Sequence, residues 1–234
     1  MRESQREAGT RPEGSEQLGW PEMLIGATAY GISLALVALL LPMLTDPVVH
    51  GNVGLLASGV MGLVALAAAA AFRGRGLRAF GFRRARPRHL VAGAALGLCA
   101  YVLGTIAAII YMATMGTVQN VQGSYQAAAA GGWWSLGLAL LAGVVITPLG
   151  EEGFFRGVLA NGLLARYGGW VGIPASAAVF AVAHGINPIM SVAFVVGVLT
   201  ALLFRWSGSI WPGVVLHGVN NATALVVPLL IGSP

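Results

Sequence analysis

The feature that most constrains this chain is a pair of adjacent carboxylates, Glu151 and Glu152, embedded in an apolar stretch. Beyond residue 90 these two are the only acidic residues in the sequence. Placing one charged side chain at the centre of a bilayer costs roughly 2.5–3.5 kcal/mol on insertion scales. If this stretch lies in a membrane, two such side chains therefore indicate a functional site.

The composition indicates that the stretch does lie in a membrane. Hydrophobic residues make up 57% of the chain and charged residues 9%, and the mean hydropathy is +0.80. Apolar runs of about 20 residues recur, which is the length that crosses a bilayer as a helix. We predict an all-α fold: a polytopic transmembrane helical bundle of seven to eight spans with an intramembrane catalytic cavity.

The charge distribution predicts the orientation of the chain. All 13 basic residues are arginine, and seven of them lie in the loop 73–88 between apolar spans. This pattern favours a cytoplasmic loop beside anionic lipid, and it argues against nucleic-acid binding. We expect an integral protein of a bacterial plasma membrane with its N-terminus in the cytoplasm. Residues 1–22 read as a disordered polar tail, and 23–234 as a single transmembrane domain with its catalytic core at about 133–222.

Helix lengths predict that polar residues from separate spans meet at one depth. The spans are expected at about 23–44, 52–72, 89–115, 133–166, 170–184, 189–206 and from 211 onward. Glu151 precedes the turn residue Gly168 by 17 positions, and His184 follows it by 16. In an antiparallel hairpin both would lie about 25 Å from the turn. Pro148 and Gly150 predict a kink or break just before the glutamates.

The last span adds His217 and Asn221, roughly 13 and 20 Å from its start, on one face. Glu152 and Arg156 have the i,i+4 spacing of an ion pair, which leaves Glu151 as the freer carboxylate. Because adjacent helical residues point about 100° apart, the two glutamates are not expected to face one partner equally.

These residue types suit the activation of water. Glu151 and His184 would activate the water, while His217 and Asn221 would stabilise a tetrahedral intermediate. A zinc site formed by Glu151, His184 and His217 is the alternative, although the zinc-protease pattern His-Glu-x-x-His is missing from the sequence. The favoured interpretation requires no cofactor. Three other interpretations remain open. The charged residues could form a purely structural salt-bridge cluster, or the protein could be a proton-coupled transporter or a non-catalytic immunity or scaffold protein.

Three motifs occur in order: Glu151-Glu152-x-x-x-Arg156, Phe180-x-x-x-His184 and His217-x-x-x-Asn221. Together they resemble the CAAX-protease and bacteriocin-processing (CPBP, or Abi) family of intramembrane endopeptidases, which includes relatives of type II CAAX prenyl endopeptidases. The resemblance covers about residues 133–222. It implies cleavage of a membrane-embedded or lipidated peptide, with the same water-activating and oxyanion-stabilising roles. The natural substrate stays open between prenylated tails, bacteriocin leaders and other membrane peptides.

Overall fold

The computed structural model describes residues 18–118 and 120–232, and helices are the regular structure of this part of the chain. Short 3-10 turns occur at Leu41–Met43 and Leu77–Phe80. The α-helices are α1 (Trp20–Leu40), α2 (Pro47–Phe72), α3 (Pro87–Met115), α4 (Gly123–Ala130), α5 (Trp133–Leu140), α6 (Thr147–Phe154), α7 (Asn161–Val182), α8 (Pro188–Ser207) and α9 (Trp211–Ile231). The predicted polytopic helical bundle is confirmed.

The longest helical stretch folds back on itself. Within the described residues six stretches are long and apolar enough to cross a membrane, and one of them, Trp133–Val182, has 50 residues. A straight helix of that length would measure about 75 Å, against a hydrocarbon core of about 30 Å. At Gly168 the backbone leaves the helical region, with φ 70° and ψ −175°. The chain reverses there, as the predicted hairpin requires, so this stretch contributes two helical segments that lie side by side.

The predicted break at Pro148 is wrong. The chain stays helical through α6, and π-helical segments precede and follow it at Leu141–Ile146 and Phe155–Ala160. Pro148 has no N–H to donate to the preceding turn, and a wider turn accommodates this loss without ending the helix. The carbonyls of the first π segment are then open to other partners. Gly143 O accepts a hydrogen bond of 2.9 Å from Asn221 Nδ2.

The predicted tail extends too far along the chain. Helix α1 already begins at Trp20, and the Glu22 side chain is fully buried. Its Oε2 accepts a hydrogen bond from the Gly19 N–H, and its Oε1 accepts one from Arg75 Nε. These contacts order the first helical turn against the arginine loop. The remainder of the predicted tail, residues 1–17, lies outside the described residues.

Glycines bring the helices that surround the site into close contact. A Cβ added at Gly93 or Gly97 of α3 would lie 2.5 Å from Pro212 O or 2.7 Å from Leu216 O of α9. Small residues at such positions let the backbones of neighbouring helices approach closely. Helices α2 and α6 also touch through their backbones, because a Cβ at Gly59 would lie 2.5 Å from Ile146 O.

Contacts between loops sort them onto two ends of the bundle. Ile210 N–H donates to Gly81 O at 3.0 Å, and the Arg166 guanidinium lies 5.9 Å from the Trp20 ring. The N-terminus of α1, the arginine loop and the turn at Gly168 therefore share one end. Helix α4 packs at the opposite end, beside the start of α2. This placement agrees with the expected alternation of the loops between the two sides of the membrane. The cytoplasmic location of the arginine end stays a prediction.

Candidate active site

Glu151 lies on α6 with 1% of its surface exposed. Its Oε1 accepts a hydrogen bond of 2.5 Å from Ser58 Oγ on α2. Its Oε2 has no hydrogen-bond partner among the described residues. That oxygen lies 3.9 Å from His184 Nε2 and 3.8 Å from His217 Nε2. Helices α6, α7 and α9 thus bring one carboxylate and two imidazoles together, as the depth argument predicted.

His184 follows the last turn of α7, where the chain turns through Gly185 into α8. Its Nδ1 lies 2.8 Å from the carbonyl oxygen of Phe180. A carbonyl oxygen accepts hydrogen bonds, so Nδ1 carries the proton and donates it. In the neutral imidazole, Nε2 is then an acceptor, and Nε2 is the atom that faces Glu151.

Glu152 and Arg156 form the predicted ion pair, with Arg156 Nη1 3.1 Å from Glu152 Oε1. Both side chains are buried, at 0% and 2% exposure. The guanidinium also lies 4.4 Å from the centre of the Phe180 ring, at the distance of a cation–π contact. The pair neutralises two charges that would otherwise be buried without compensation.

The two glutamates share one neighbour but do not face it equally, as expected. A single imidazole, His217, contacts both of them, with Nδ1 3.2 Å from Glu152 Oε1 and Nε2 3.8 Å from Glu151 Oε2. The glutamates do point in different directions, but α9 passes close enough for one ring to span them. Gly213 permits this approach, because a Cβ there would lie 2.7 Å from Glu152 Oε2.

Asn221 lines the same cavity as His217, one turn further along α9. Its Nδ2 donates one hydrogen bond to Gly143 O, and its Oδ1 accepts one of 3.2 Å from the buried Asn220. The side chain is therefore held in place from two directions. An amide nitrogen carries two hydrogens, so a second donor remains.

The polar groups form one wall of a cavity of about 270 Å³. The other walls come from α3, α8 and the end of α9 and are mostly apolar. Residues that line these walls are Tyr101, Thr105, Ala108, Ile109, Met112, Ile189, Val192, Ala193, Val196, Ala224 and Leu225. Gln122, Tyr125 and Gln126, on α4 and the turn before it, line the end away from the arginine loop. The cavity therefore has a polar cluster of side chains beside a surface suited to an apolar chain.

Sequence reasoning missed Ser58 and Tyr125, both of which line the cavity. Ser58 interrupts an apolar run in α2, but a lone serine in a span usually bonds its own helix and gives little signal. Tyr125 belongs to the short helix α4, which lies between two of the predicted spans. Burial, and less strongly the negative charge of Glu151, raise the pKa of the Tyr125 hydroxyl, so it stays protonated and can donate.

The geometry bears on the zinc alternative. Within the described part of the chain, no group of three or more His, Cys, Asp or Glu side chains is arranged to hold a metal ion. Glu151 Oε2 lies 3.8–3.9 Å from the two imidazole nitrogens. Ligand atoms about 2.0–2.1 Å from a tetrahedral zinc lie roughly 3.3–3.4 Å apart. The two separations exceed this ligand spacing by about 0.5 Å.

A known protein family matches the part of the chain that contains most of these residues. Residues 133–223 match the family described as Type II CAAX prenyl endopeptidase Rce1-like. This region is similar to the Rce1-like family. No curated protein and no solved structure matches the chain. The match confirms the resemblance drawn from the three motifs.

The Rce1-like region supplies one part of the cavity. It contains Glu151, His184, His217 and Asn221, together with the Glu152–Arg156 pair. Ser58, Tyr125 and the α3 wall lie outside it. The six apolar stretches make the protein an integral membrane protein, and the Rce1-like family is one of endopeptidases.

Proposed function

We propose that the protein is an intramembrane endopeptidase that hydrolyses a peptide bond in a membrane-embedded or lipidated substrate. The observation that carries the proposal is the convergence of Glu151 Oε2, His184 Nε2 and His217 Nε2 on the wall of one cavity. A buried carboxylate oxygen that has no hydrogen-bond partner among the described residues, and that faces two imidazoles, suits a hydrolytic water better than it suits a structural ion pair.

Glu151 and His184 activate the water. Two hydrogen bonds of about 2.8 Å from one water can bridge acceptors separated by roughly 4 Å. Glu151 Oε2 and His184 Nε2 are separated by 3.9 Å. A water held between them directs an oxygen lone pair into the cavity, and Glu151 removes a proton as that oxygen attacks the scissile carbonyl carbon. The proton then passes to the leaving amine when the C–N bond breaks.

His217 and Asn221 stabilise the oxyanion of the tetrahedral intermediate. An ionised Glu152 accepts a hydrogen bond from His217 Nδ1. His217 then donates to the oxyanion from Nε2, which requires that both ring nitrogens carry a proton. Asn221 contributes its second amide hydrogen, since the first is held by Gly143 O. Glu152 and Arg156 fix the His217 ring without touching the substrate.

The cavity walls support a membrane-embedded substrate. The α3 and α8 walls are mostly apolar, while the polar groups are confined to one side. The apolar part of a peptide anchored in the bilayer, or its attached lipid, can pack against such walls much as it packs against lipid tails, without the cost of moving from hydrocarbon to a polar surface. The scissile amide of that peptide then lies beside Glu151.

The direct test uses the whole protein in a bilayer of defined lipid with a library of membrane-anchored peptides. Wild-type protein is expected to release cleaved fragments that mass spectrometry detects. Glu151→Gln and His184→Ala are each expected to lower the rate by 10²–10⁴-fold, the typical contribution of a general base. Both variants should give the same elution profile in detergent as the wild type. Near-wild-type cleavage by both variants would refute the assignment.

Two further measurements separate the alternative functions. Metal analysis accompanies a chelator series on the active protein, and the chelators are expected to leave the cleavage rate unchanged. A rate that the chelators lower and that added zinc restores would establish metal dependence. Proton flux into liposomes is expected to be the same with and without the protein. A flux that Glu151→Gln abolishes, without peptide cleavage by the wild type, would favour a transporter.

A further inference from the structure

A hydroxyl outside the Rce1-like region contacts the candidate catalytic carboxylate. Ser58 lies on α2, and its Oγ donates to Glu151 Oε1. Several other hydroxyls in the long helices bond the carbonyl one turn back on their own helix, as Ser33 does to Ala29 O and Thr105 to Tyr101 O, both at 2.8 Å. Thr147 is an exception, since its Oγ1 donates across helices to Leu55 O of α2. Ser58 likewise donates its hydroxyl to a residue of another helix, although a serine in a helix can also bond a carbonyl of its own preceding turn.

The packing of α2 on α6 brings this hydroxyl within reach. A Cβ added at Gly59 would lie 2.5 Å from Ile146 O. A Cβ at Gly62 would collide with Gly150 O, and one at Gly150 would collide with Gly59 O. The two backbones are therefore in direct contact beside the Ser58–Glu151 bond. At this separation a side chain as short as serine reaches the carboxylate.

The bond fixes which carboxylate oxygen faces the cavity. The terminal torsion of a glutamate is broad and roughly two-fold, so an unrestrained carboxylate samples many orientations. Ser58 holds Oε1, and Oε2 then lies within 3.9 Å of both imidazoles. We propose that Ser58 is a positioning residue for Glu151, acting through that carboxylate without touching the substrate. This inference rests on the proposed function.

The experiment compares Ser58→Ala, Ser58→Thr and Ser33→Ala in the full chain, reconstituted in a bilayer. The substrate is the membrane-anchored peptide of the library that the wild type cleaves fastest. Ser58→Ala is expected to lower kcat about 10- to 100-fold, the range for a lost hydrogen bond to a charged group. KM should stay within about twofold, because the substrate does not touch the hydroxyl. Ser58→Thr keeps a hydroxyl and should recover most of kcat. Ser33→Ala removes a back-bonded hydroxyl and should match the wild type.

The outcomes distinguish this inference from the proposed function. If Glu151→Gln retains activity, the proposed function fails. If Glu151→Gln is inactive while Ser58→Ala keeps kcat within twofold of the wild type, the positioning role fails alone. A purely structural role would lower the midpoint of thermal unfolding and the folded fraction of Ser58→Ala, with kcat per folded molecule unchanged. That result would also overturn the inference.

Discussion

Glu22 and Glu151 are both buried beside basic side chains, but their carboxylate oxygens are engaged differently. Glu22 is 0% exposed, and its Oε1 lies 3.0 Å from Arg75 Nε and 3.4 Å from Arg73 Nη1. Its Oε2 accepts from the Gly19 N–H. Glu151 is equally buried, but its Oε2 has no hydrogen-bond partner in the described part of the chain and faces a cavity.

The comparison shows that burial and charge do not by themselves mark a functional carboxylate. Glu22 has both oxygens engaged and ties the start of α1 to the arginine loop. Glu151 has one oxygen fixed by Ser58 and one left for a reacting group. Since buried polar atoms are normally satisfied, the functional information comes from an oxygen that has no hydrogen-bond partner among the described residues and that also faces a cavity and two imidazoles.

The largest expected difference comes from making the same substitution at both glutamates. Glu151→Gln should lower the cleavage rate by 10²–10⁴-fold with little change in thermal unfolding. Glu22→Gln should keep the rate within about twofold and lower the stability by about 1–3 kcal/mol, because it removes the charge at a buried pair. Rates per folded molecule and unfolding midpoints in one detergent check both expectations. A large rate loss in Glu22→Gln, at full folding, would break the contrast.

The second contrast concerns Glu152, which is as buried as Glu22 but belongs to the site. Glu152→Gln leaves the Arg156 charge buried without its carboxylate partner, which is expected to cost about 3–5 kcal/mol. Adding Arg156→Met removes that charge and should recover much of the stability. It should not recover activity, since His217 Nδ1 would still lack the carboxylate that holds the ring.

Unfolding midpoints and cleavage rates of the two single variants and the double variant form a complete cycle. Recovery of both stability and activity in the double variant would show that Glu152 serves only to neutralise Arg156. Recovery of stability alone would support its role in orienting His217.

Much of the site could be predicted because helices convert residue counts into depth. The 17- and 16-residue spacings from Gly168 predicted that Glu151 and His184 lie at one level, and their side chains approach to 3.9 Å. The i,i+4 spacing likewise predicted the Glu152–Arg156 pair. These inferences needed only the helical rise and one turn.

The rest depended on which helices touch, and the sequence does not encode that directly. Ser58 reaches Glu151 because glycines bring α2 against α6. Pro148 was expected to break its helix, but π-helical turns absorb the missing hydrogen bond. The predicted tail included Glu22, because its arginine partners follow about 50 residues later in the chain.

The smallest expected effect tests whether the approach of α9 to the glutamates matters. A Cβ at Gly213 would lie 2.7 Å from Glu152 Oε2 and 3.5 Å from Thr200 Cβ. Glu152 is fully buried between Arg156 and His217, so it cannot swing aside without disturbing one of them. Gly213→Ala is therefore expected to lower kcat by about tenfold, the effect of a small displacement of the His217 ring.

Gly137 provides the matched control, because a Cβ there would have nothing within 4 Å. Gly137→Ala makes the same chemical change in a helix and should leave kcat unchanged. Both rates would be measured per folded molecule on one peptide. If Gly213→Ala matches Gly137→Ala, then α9 tolerates an outward shift, and the bridging position of His217 between the two glutamates is not needed for cleavage. A loss confined to Gly213→Ala would show that the chemistry depends on an interhelical distance that one methyl group changes.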